Sequence, residues 1–404
     1  MKKLNKFFAV LVALAMMAML SVTAFAANPV AKTTTPGDSV PTKLTKAYDK
    51  AAGVNEPTNQ IFNFTAKNVV PTDETGYKAH ADVPATVNGG NANIGLALAN
   101  IFPGTLFNDT GKYRFEVTED LPQGANAARE VVYEDTTDPN FKVTETTTYS
   151  AAKYQVDLVV ASYTNPTTLA TEYYVQSAAV TLLMDDNGGT EGLPKKAPAG
   201  EDDGTGINLT FTNKVNKEIE NVKDPEGPPT TQEEDKNALE ISKTVTNKDE
   251  TKKADPAQEF NFKATVSFPD NTKAEKYKAV VKELNENNEV VETAQTVEFT
   301  PSALTKTFKL KDGQWLAFKD IEAGATVTVT EDTIPGFTAS GLETNYVVKD
   351  TGNNAIDVTN EWDDSEGSVT GILMSNIPYI VLALVAIGGL CAYVVVRRKN
   401  ADEA

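Results

Sequence analysis

The sequence predicts an all-β chain of two tandem sandwich domains between its terminal segments, on three observations. Threonine and valine are frequent, and alternating runs such as Tyr113-Arg114-Phe115-Glu116-Val117 and Ala325-Thr326-Val327-Thr328-Val329 recur. Gly, Pro, Asn and Asp punctuate those runs at turn spacing. A stretch from about Glu218 to Asn237, with Pro225, Gly227, Pro228 and Pro229, loses its apolar period after Val222 and reads as a linker. The expected organisation is a first domain over 27–219, a linker over 220–236 and a second domain over 237–363.

Composition narrows the function classes. A chain of 404 residues with 40% hydrophobic content can support two or three domains with real cores. The 37 Lys+Arg against 56 Asp+Glu give a formal net charge of -19, which repels nucleic acid and anionic membrane surfaces. The single cysteine, Cys391, lies in a C-terminal apolar run, so no disulfide can staple the domains. One histidine, His80, and the lack of Gly-x-Ser-x-Gly, His-Glu-x-x-His or phosphate-loop patterns argue against a hydrolase or metalloenzyme. His80 reads as a surface residue. The acidic stretches Asp185-Asp186-Asn187-Gly188 and Glu201-Asp202-Asp203-Gly204 lack calcium-loop ligand spacing and read as solvated loops, so no metal and no cofactor is expected.

The two ends carry an address. Lys2, Lys3 and Lys6 precede an apolar run from Phe7 to Leu20, and Ala24-Phe25-Ala26 supplies small residues where a signal peptidase reads. This predicts a signal peptide over 1–26 cut between Ala26 and Ala27; the alternative is a retained membrane helix. Near the other end, Ile377 to Val396 has bilayer-spanning length and Arg397-Arg398-Lys399 follows. Gly367-Ser368-Val369-Thr370-Gly371 stands before it. Polar segment, Thr-Gly, apolar span and basic tail together resemble a sortase cell-wall sorting signal over 364–404. There an extended pentapeptide lets the sortase cysteine attack the threonine carbonyl, here that of Thr370 before Gly371. Gly367-Ser368 replace the usual Leu-Pro, and the alternative is a single-pass protein that is never cleaved.

A weak internal repeat is the most informative feature. Leu44-Thr45-Lys46 corresponds to Ile241-Ser242-Lys243, Phe62-Asn63-Phe64 to Phe260-Asn261-Phe262, Val117-Thr118-Glu119 to Val329-Thr330-Glu331, and Thr212-Asn213 to Thr359-Asn360. Each half thus carries a lysine on its first strand, a glutamate on a middle strand and an asparagine on its last. Alternate strand residues share a face. Lys46 goes with Leu44 and Tyr48, Glu119 with Phe115 and Val117, and Asn213 with Leu209 and Phe211. Lys243 goes with Ile241 and Val245, Glu331 with Val327 and Val329, and Asn360 with Ile356 and Val358. All six side chains are expected to point inward.

Buried lysine and glutamate are costly unless paired or neutralised, and burial lowers the first pKa and raises the second. A neutral amine can then attack the asparagine carboxamide, with the carboxylic acid polarising the carbonyl and passing protons to the departing ammonia. The product is an isopeptide bond. The bland alternative is an edge lysine whose stem covers apolar surface and an asparagine in a turn. In the first half Glu145 competes with Glu119, and Lys43 competes with Lys46 but falls on the opposite face.

With these residues in order, the chain resembles the Gram-positive backbone pilins that carry intramolecular Lys-Asn bonds. The first half is similar to the streptococcal-type pilin isopeptide linkage domain, through Gly111, Tyr113, Phe115, Val117-Thr118-Glu119, Thr148-Tyr149, Tyr154 to Val159 and Phe211-Thr212-Asn213. The second is similar to a collagen-binding-protein-B-type domain, through Phe318, Ile321, Gly324, Val327 to Glu331 and Val358-Thr359-Asn360. The resemblance implies immunoglobulin-like sandwiches, no turnover enzyme activity, and head-to-tail covalent polymerisation at the cell surface, with attachment to the wall. The implied partners are pilin and housekeeping sortases, copies of the same chain, minor pilins, peptidoglycan and host surface glycoproteins. It also implies an acceptor lysine late in the first domain, for which Lys195, Lys196 and Lys214 are candidates, the loop pair first. The rival reading is a wall-anchored adhesin that binds a host glycoprotein without polymerising.

Overall fold

The computed structural model describes residues 30–32, 40, 42–57, 60–89, 94–196, 207–222, 229–270, 272, 276–300 and 304–363. The expected signal cleavage at Ala26 and Ala27, the sorting residues Thr370 and Gly371, and the apolar span 377–396 lie outside them. The regular secondary structure of the described residues is almost all strand, as expected. They fall into two compact units, one within Met1–Asp135 and Thr144–Lys217, the other within Thr136–Val143 and Glu218–Ala404.

In chain order the earlier strands are β1 (Val30–Lys32), β2 (Thr42–Lys50), β3 (Gln60–Asn68), β4 (Val83–Gly89), β5 (Ile94–Ala97), β6 (Gly111–Glu119), β7 (Glu130–Asp135), β8 (Phe141–Thr148), β9 (Lys153–Thr164), β10 (Thr171–Met184), β11 (Lys195–Lys196) and β12 (Ile207–Asn221), with a short helix α1 (Leu98–Ile101) after β5. One sheet runs β1-β10-β9-β6-β3-β4 with β11 beside β10, and the other runs β5-β2-β12-β8-β7. Period-two alternation builds the core between them: on β6, Tyr113, Phe115, Val117 and Glu119 are buried while their neighbours are half-buried. They meet Leu44 from β2 and Leu209 and Phe211 from β12. Tyr154 of β9 donates its hydroxyl to the Thr210 carbonyl of β12 at 2.7 Å, a polar tie between the sheets. The first and last long strands, β2 and β12, are neighbours and parallel, with Lys46 opposite Phe211 and Tyr48 opposite Asn213.

The second unit adds β13 (Leu239–Asn247), β14 (Phe260–Ser267), β15 (Tyr277–Leu284), β16 (Val290–Phe299), β17 (Thr305–Leu310), β18 (Trp315–Phe318), β19 (Asp320–Glu322), β20 (Thr326–Glu331), β21 (Phe337–Ser340), β22 (Tyr346–Val347) and β23 (Asn354–Trp362). Its sheets run β16-β15-β18-β13-β23-β21 and β17-β14-β20-β22. Phe260, Phe262, Val327 and Val329 of the smaller sheet are buried, as are Leu239, Ile241, Ile356 and Val358 of the larger. Here too the first and last strands, β13 and β23, are adjacent and parallel.

Part of the expected linker is ordered structure. Residues Glu218 to Glu220 continue β12 and pair antiparallel with β19, since Ile219 is fully buried and supplies an apolar anchor at the end of the strand. The described residues 229–236 are held by the second unit: the Val290 amide donates to the Pro229 carbonyl at 2.7 Å and the Trp315 indole to Asp235 at 3.0 Å.

Phe115 is fully buried with its ring 4.7 Å from that of Phe102. Phe115→Ala is expected to destabilise the first unit by about 3–5 kcal/mol, seen as an earlier urea transition, with the second unit's transition unmoved.

Candidate functional site

Each unit brings its lysine, glutamate and asparagine together between its two sheets. In the first, the Lys46 amine donates to both oxygens of Glu119, at 2.9 and 3.0 Å, and to Asn213 Oδ1. Asn213 Nδ2 donates to Glu119 Oε1 at 3.3 Å. All three are buried, Lys46 to 1% exposure. In the second, the Lys243 amine donates to Glu331 Oε2 at 2.9 Å and Asn360 Nδ2 donates to Glu331 Oε1.

The scaffold under the two sites is the same. Lysine and asparagine occupy diagonal positions on the parallel first and last strands: Lys46 pairs with Phe211, two residues short of Asn213, and Lys243 pairs with Val358, two residues short of Asn360. The glutamate ends a strand of the opposite sheet, where Glu119 pairs with Phe64 and Glu331 with Phe262. Aromatic rings wall off the amine. Lys46 Nζ lies 4.9 Å from the Phe62 ring centre, and Lys243 Nζ lies 4.2 Å from that of Phe260 and 5.5 Å from that of Phe262. The repeated Phe-Asn-Phe therefore contributes rings to both sites, Phe62 in the first and Phe260 and Phe262 in the second.

Burial sets the charge state. Loss of water pushes the Lys46 amine down to about 8, against the pull of Glu119, and raises the Glu119 carboxyl above its ordinary range, against the pull of Lys46. Burial likewise lowers Lys243, opposed by Glu331. The ion pair and its proton-transferred form, neutral amine beside neutral acid, are thus drawn closer in energy than in water. That neutral form holds an amine, a carboxamide and an acid in hydrogen-bonded contact.

Three further residues serve the first site, and the strand pattern did not identify them. The backbone N–H of Ser150 donates to Asn213 Oδ1 at 2.8 Å and to Glu119 Oε2 at 3.2 Å. A donor aimed at that amide oxygen would stabilise negative charge developing on it. Ser150 is held from both sides: its hydroxyl donates to Asp186 at 2.5 Å, and Arg129 donates to its carbonyl at 2.5 Å and to that of Tyr149 at 3.1 Å. Asp186 also accepts from the Thr212 amide at 2.9 Å, beside Asn213. Asp186 is therefore not a solvated loop acid. The second site has no counterpart, since Asn360 Oδ1 is buried without a hydrogen-bond partner among the described residues.

The competitors fall elsewhere. Glu145 is buried but accepts from Thr147 at 3.2 Å and pairs with Lys217 at 3.4 Å. Lys43 lies on the opposite face of β2 from Lys46. Lys214 alternates with Asn213 on β12 and is half-buried, and Lys195 and Lys196 form β11, opposite Leu182 and Thr181 of β10. Lys214 joins neither constellation. His80 is not a plain surface residue: its ring lies 5.4 to 5.9 Å from those of Phe107, Phe115 and Tyr113, with its nitrogens 2.7 and 3.0 Å from the Ala81 and Leu106 carbonyls. Asp185 uses its carboxylate on the Asn187 and Gly189 amides of its own turn.

Comparison with known proteins adds the following. A family described as a domain of unknown function, DUF7601, matches residues 237–362. No curated protein matches the chain. Among solved structures, the chain is similar to the major pilin of Streptococcus pyogenes at 15% identity and TM-score 0.30, covering 80% of this chain and 99% of that one. It is similar to the T-13 major pilin of Streptococcus pyogenes at 15% identity and TM-score 0.28, covering 83% and 100%. It is also similar to the pilus-presented adhesin Cpa at 10% identity and TM-score 0.23, covering 79% and 100%.

The Lys46 burial has a pH signature. Between pH 8 and 10.5 the unfolded chain holds a proton on Lys46 that the folded chain has released, so stability rises with pH across that window. In Asn213→Ala, where no amide can form, the rise due to Lys46 is expected to be about 3 kcal/mol. It is read as the difference in urea unfolding between Asn213→Ala and Asn213→Ala/Lys46→Met at the two ends of the window. Equal slopes in the two variants would contradict it.

Proposed function

We propose that this chain is the repeating backbone subunit of a surface pilus, assembled and wall-anchored by sortases, whose two domains each lock themselves with a Lys-Asn amide bond. The observation that carries this is the buried Lys-Glu-Asn constellation built twice, on the same strands and in the same register. In the first domain the Lys46 amine attacks Asn213 Cγ. The Nζ–Cγ bond forms, the Cγ–Nδ2 bond breaks, and Glu119 carries one amine proton to the departing nitrogen, which leaves as ammonia. Lys243, Glu331 and Asn360 repeat the step in the second domain.

The placement suits a load-bearing fibre. In each domain the bond would join the first strand to the last, its parallel neighbour, so tension along the chain would cross the domain through one amide. Closing a loop on the order of 100 residues also stabilises by roughly 5 kcal/mol in the chain-entropy account of cross-links. With no cysteine outside the C-terminal apolar run, disulfides cannot do this work. The export and sorting segments complete the reading. Thr370 would be the acyl donor to a sortase, and Lys195 or Lys196 of a neighbouring copy would be the acceptor, with Lys214 the further candidate. Transfer to peptidoglycan by a housekeeping sortase would end the fibre, minor pilins would join it, and host surface glycoproteins are its proposed contacts.

Each bond expels one ammonia, about 17 Da. Intact mass should therefore fall at least about 34 Da below the sequence value, with one loss missing in Glu119→Ala and one in Glu331→Ala. A mass equal to that of the sequence would reduce both constellations to buried polar clusters. In the native host, wall digests should run as a ladder on denaturing gels, and changing both Lys195 and Lys196 to Arg should collapse it to one band. A ladder that persists would remove those two as acceptors; a single band from the unaltered protein would favour the non-polymerising adhesin.

A further inference from the structure

A third cluster of the same chemical makeup lies on the outer face of the second unit. Lys282 of β15 pairs with Trp315 of β18, which in turn pairs with Ser242 of β13. Residues 229–237 lie against this row. The Lys282 amine donates to both oxygens of Asp235, at 2.9 and 3.0 Å, and to Asn237 Oδ1 at 3.2 Å. Asn237 Nδ2 donates back to Asp235 Oδ2 at 2.8 Å. Amine to acid, amine to carboxamide oxygen, and carboxamide nitrogen to acid are the three contacts that define the Lys46 site.

We propose that Lys282 and Asn237 form a third intramolecular amide bond, with Asp235 in the role that Glu119 plays at Lys46. This rests on the chemistry proposed above for the other two sites. The Lys282 Nζ–Asn237 Cγ bond forms, the Cγ–Nδ2 bond breaks, one amine proton passes through Asp235 to Nδ2, and ammonia departs. A simple clamp on the segment would need only the Lys282–Asp235 pair. The carboxamide is instead oriented at both ends, its oxygen on the nucleophile and its nitrogen among acceptors: Asp235 Oδ2, the Asp235 carbonyl at 2.9 Å and Glu240 Oε2 at 3.4 Å. Burial pushes Glu240 up to about 7, with Gln232 and Asn237 holding it down, so near neutral pH it can hold a proton beside the leaving nitrogen. The Trp315 indole, buried and donating to Asp235 at 3.0 Å, fixes the acid from the other side. Asn237 is 5% exposed, and the Asp235 and Lys282 side chains are 10% and 17% exposed. Lys282 is wetter than Lys46 and Lys243, and this bond forms more slowly than the other two.

The test is a peptide map. The full chain is held at pH 8 until its mass is constant, then denatured, digested and mapped by mass spectrometry. The expected result is a branched peptide joining Asn237 to Lys282, about 17 Da lighter than its two parts, absent in Lys282→Arg and slowed in Asp235→Asn. Lys282→Arg keeps the cation that holds Asp235, so the fold survives while the nucleophile is lost. Separate linear peptides for Asn237 and Lys282, beside intact Lys46–Asn213 and Lys243–Asn360 branches, would overturn this third bond alone. Absence of all three branches would overturn the self-crosslinking chemistry itself.

Discussion

A lysine amine shut between two sheets with one carboxyl for company is the constraint on which the rest of the structure depends. Left alone, such an amine would cost several kcal/mol, and a single missing partner would strand the other charge. Lys46 is kept there by a carboxylate that meets it with both oxygens, a carboxamide and an aromatic wall. The groups that make burial tolerable are also those a condensation between amine and amide would use. Stability before reaction and reactivity therefore draw on one set of contacts.

The two units solve the problem with the same backbone and different fine structure. Parallel pairing of first and last strands sets the lysine and asparagine on a diagonal, and the facing sheet delivers the glutamate at a strand end. Around that frame the first unit adds the Ser150 N–H, pinned by Asp186 and Arg129, while the second leaves Asn360 Oδ1 without a partner among the described residues. Arg129 itself sits at φ 63°, a left-handed backbone held next to the site by its bonds to three carbonyls. A left-handed arginine thus stands beside the first site, whose amide oxygen has the N–H donor that the second lacks among the described residues.

Much of this was legible in the sequence because strands have period two. Once Leu44, Phe115 and Phe211 are assigned inward, the faces of Lys46, Glu119 and Asn213 follow from parity, and the ordered repeat supplies the second set. What was not legible has physical reasons. Ser150 contributes a backbone N–H, which carries no signature in residue type. Asp186 lies in a turn between strands, where parity says nothing, and its acidic neighbours disguise it as a loop. His80 lies outside the strands, so its packing against three rings could not be read from alternation. The Asp235–Asn237–Lys282 cluster joins an irregular segment to a strand across an intervening one, a contact that only the fold creates.

The separation of Lys46 and Asn213 along the chain, 167 positions, bears on how the molecule would meet proteases. With the proposed amide in place, the chain between them becomes a closed ring spliced into a line. A cut in any one of its surface turns, such as that at Asn187 and Gly188, would open the ring but leave the two ends of the line covalently joined. A protease would sever the line only by cutting the tether on either side of the ring, since even two backbone cuts within the ring would leave Lys46 and Asn213 joined. Exposed loops on such a molecule could therefore vary in sequence, and be nicked, at little risk to the continuity of anything built from it.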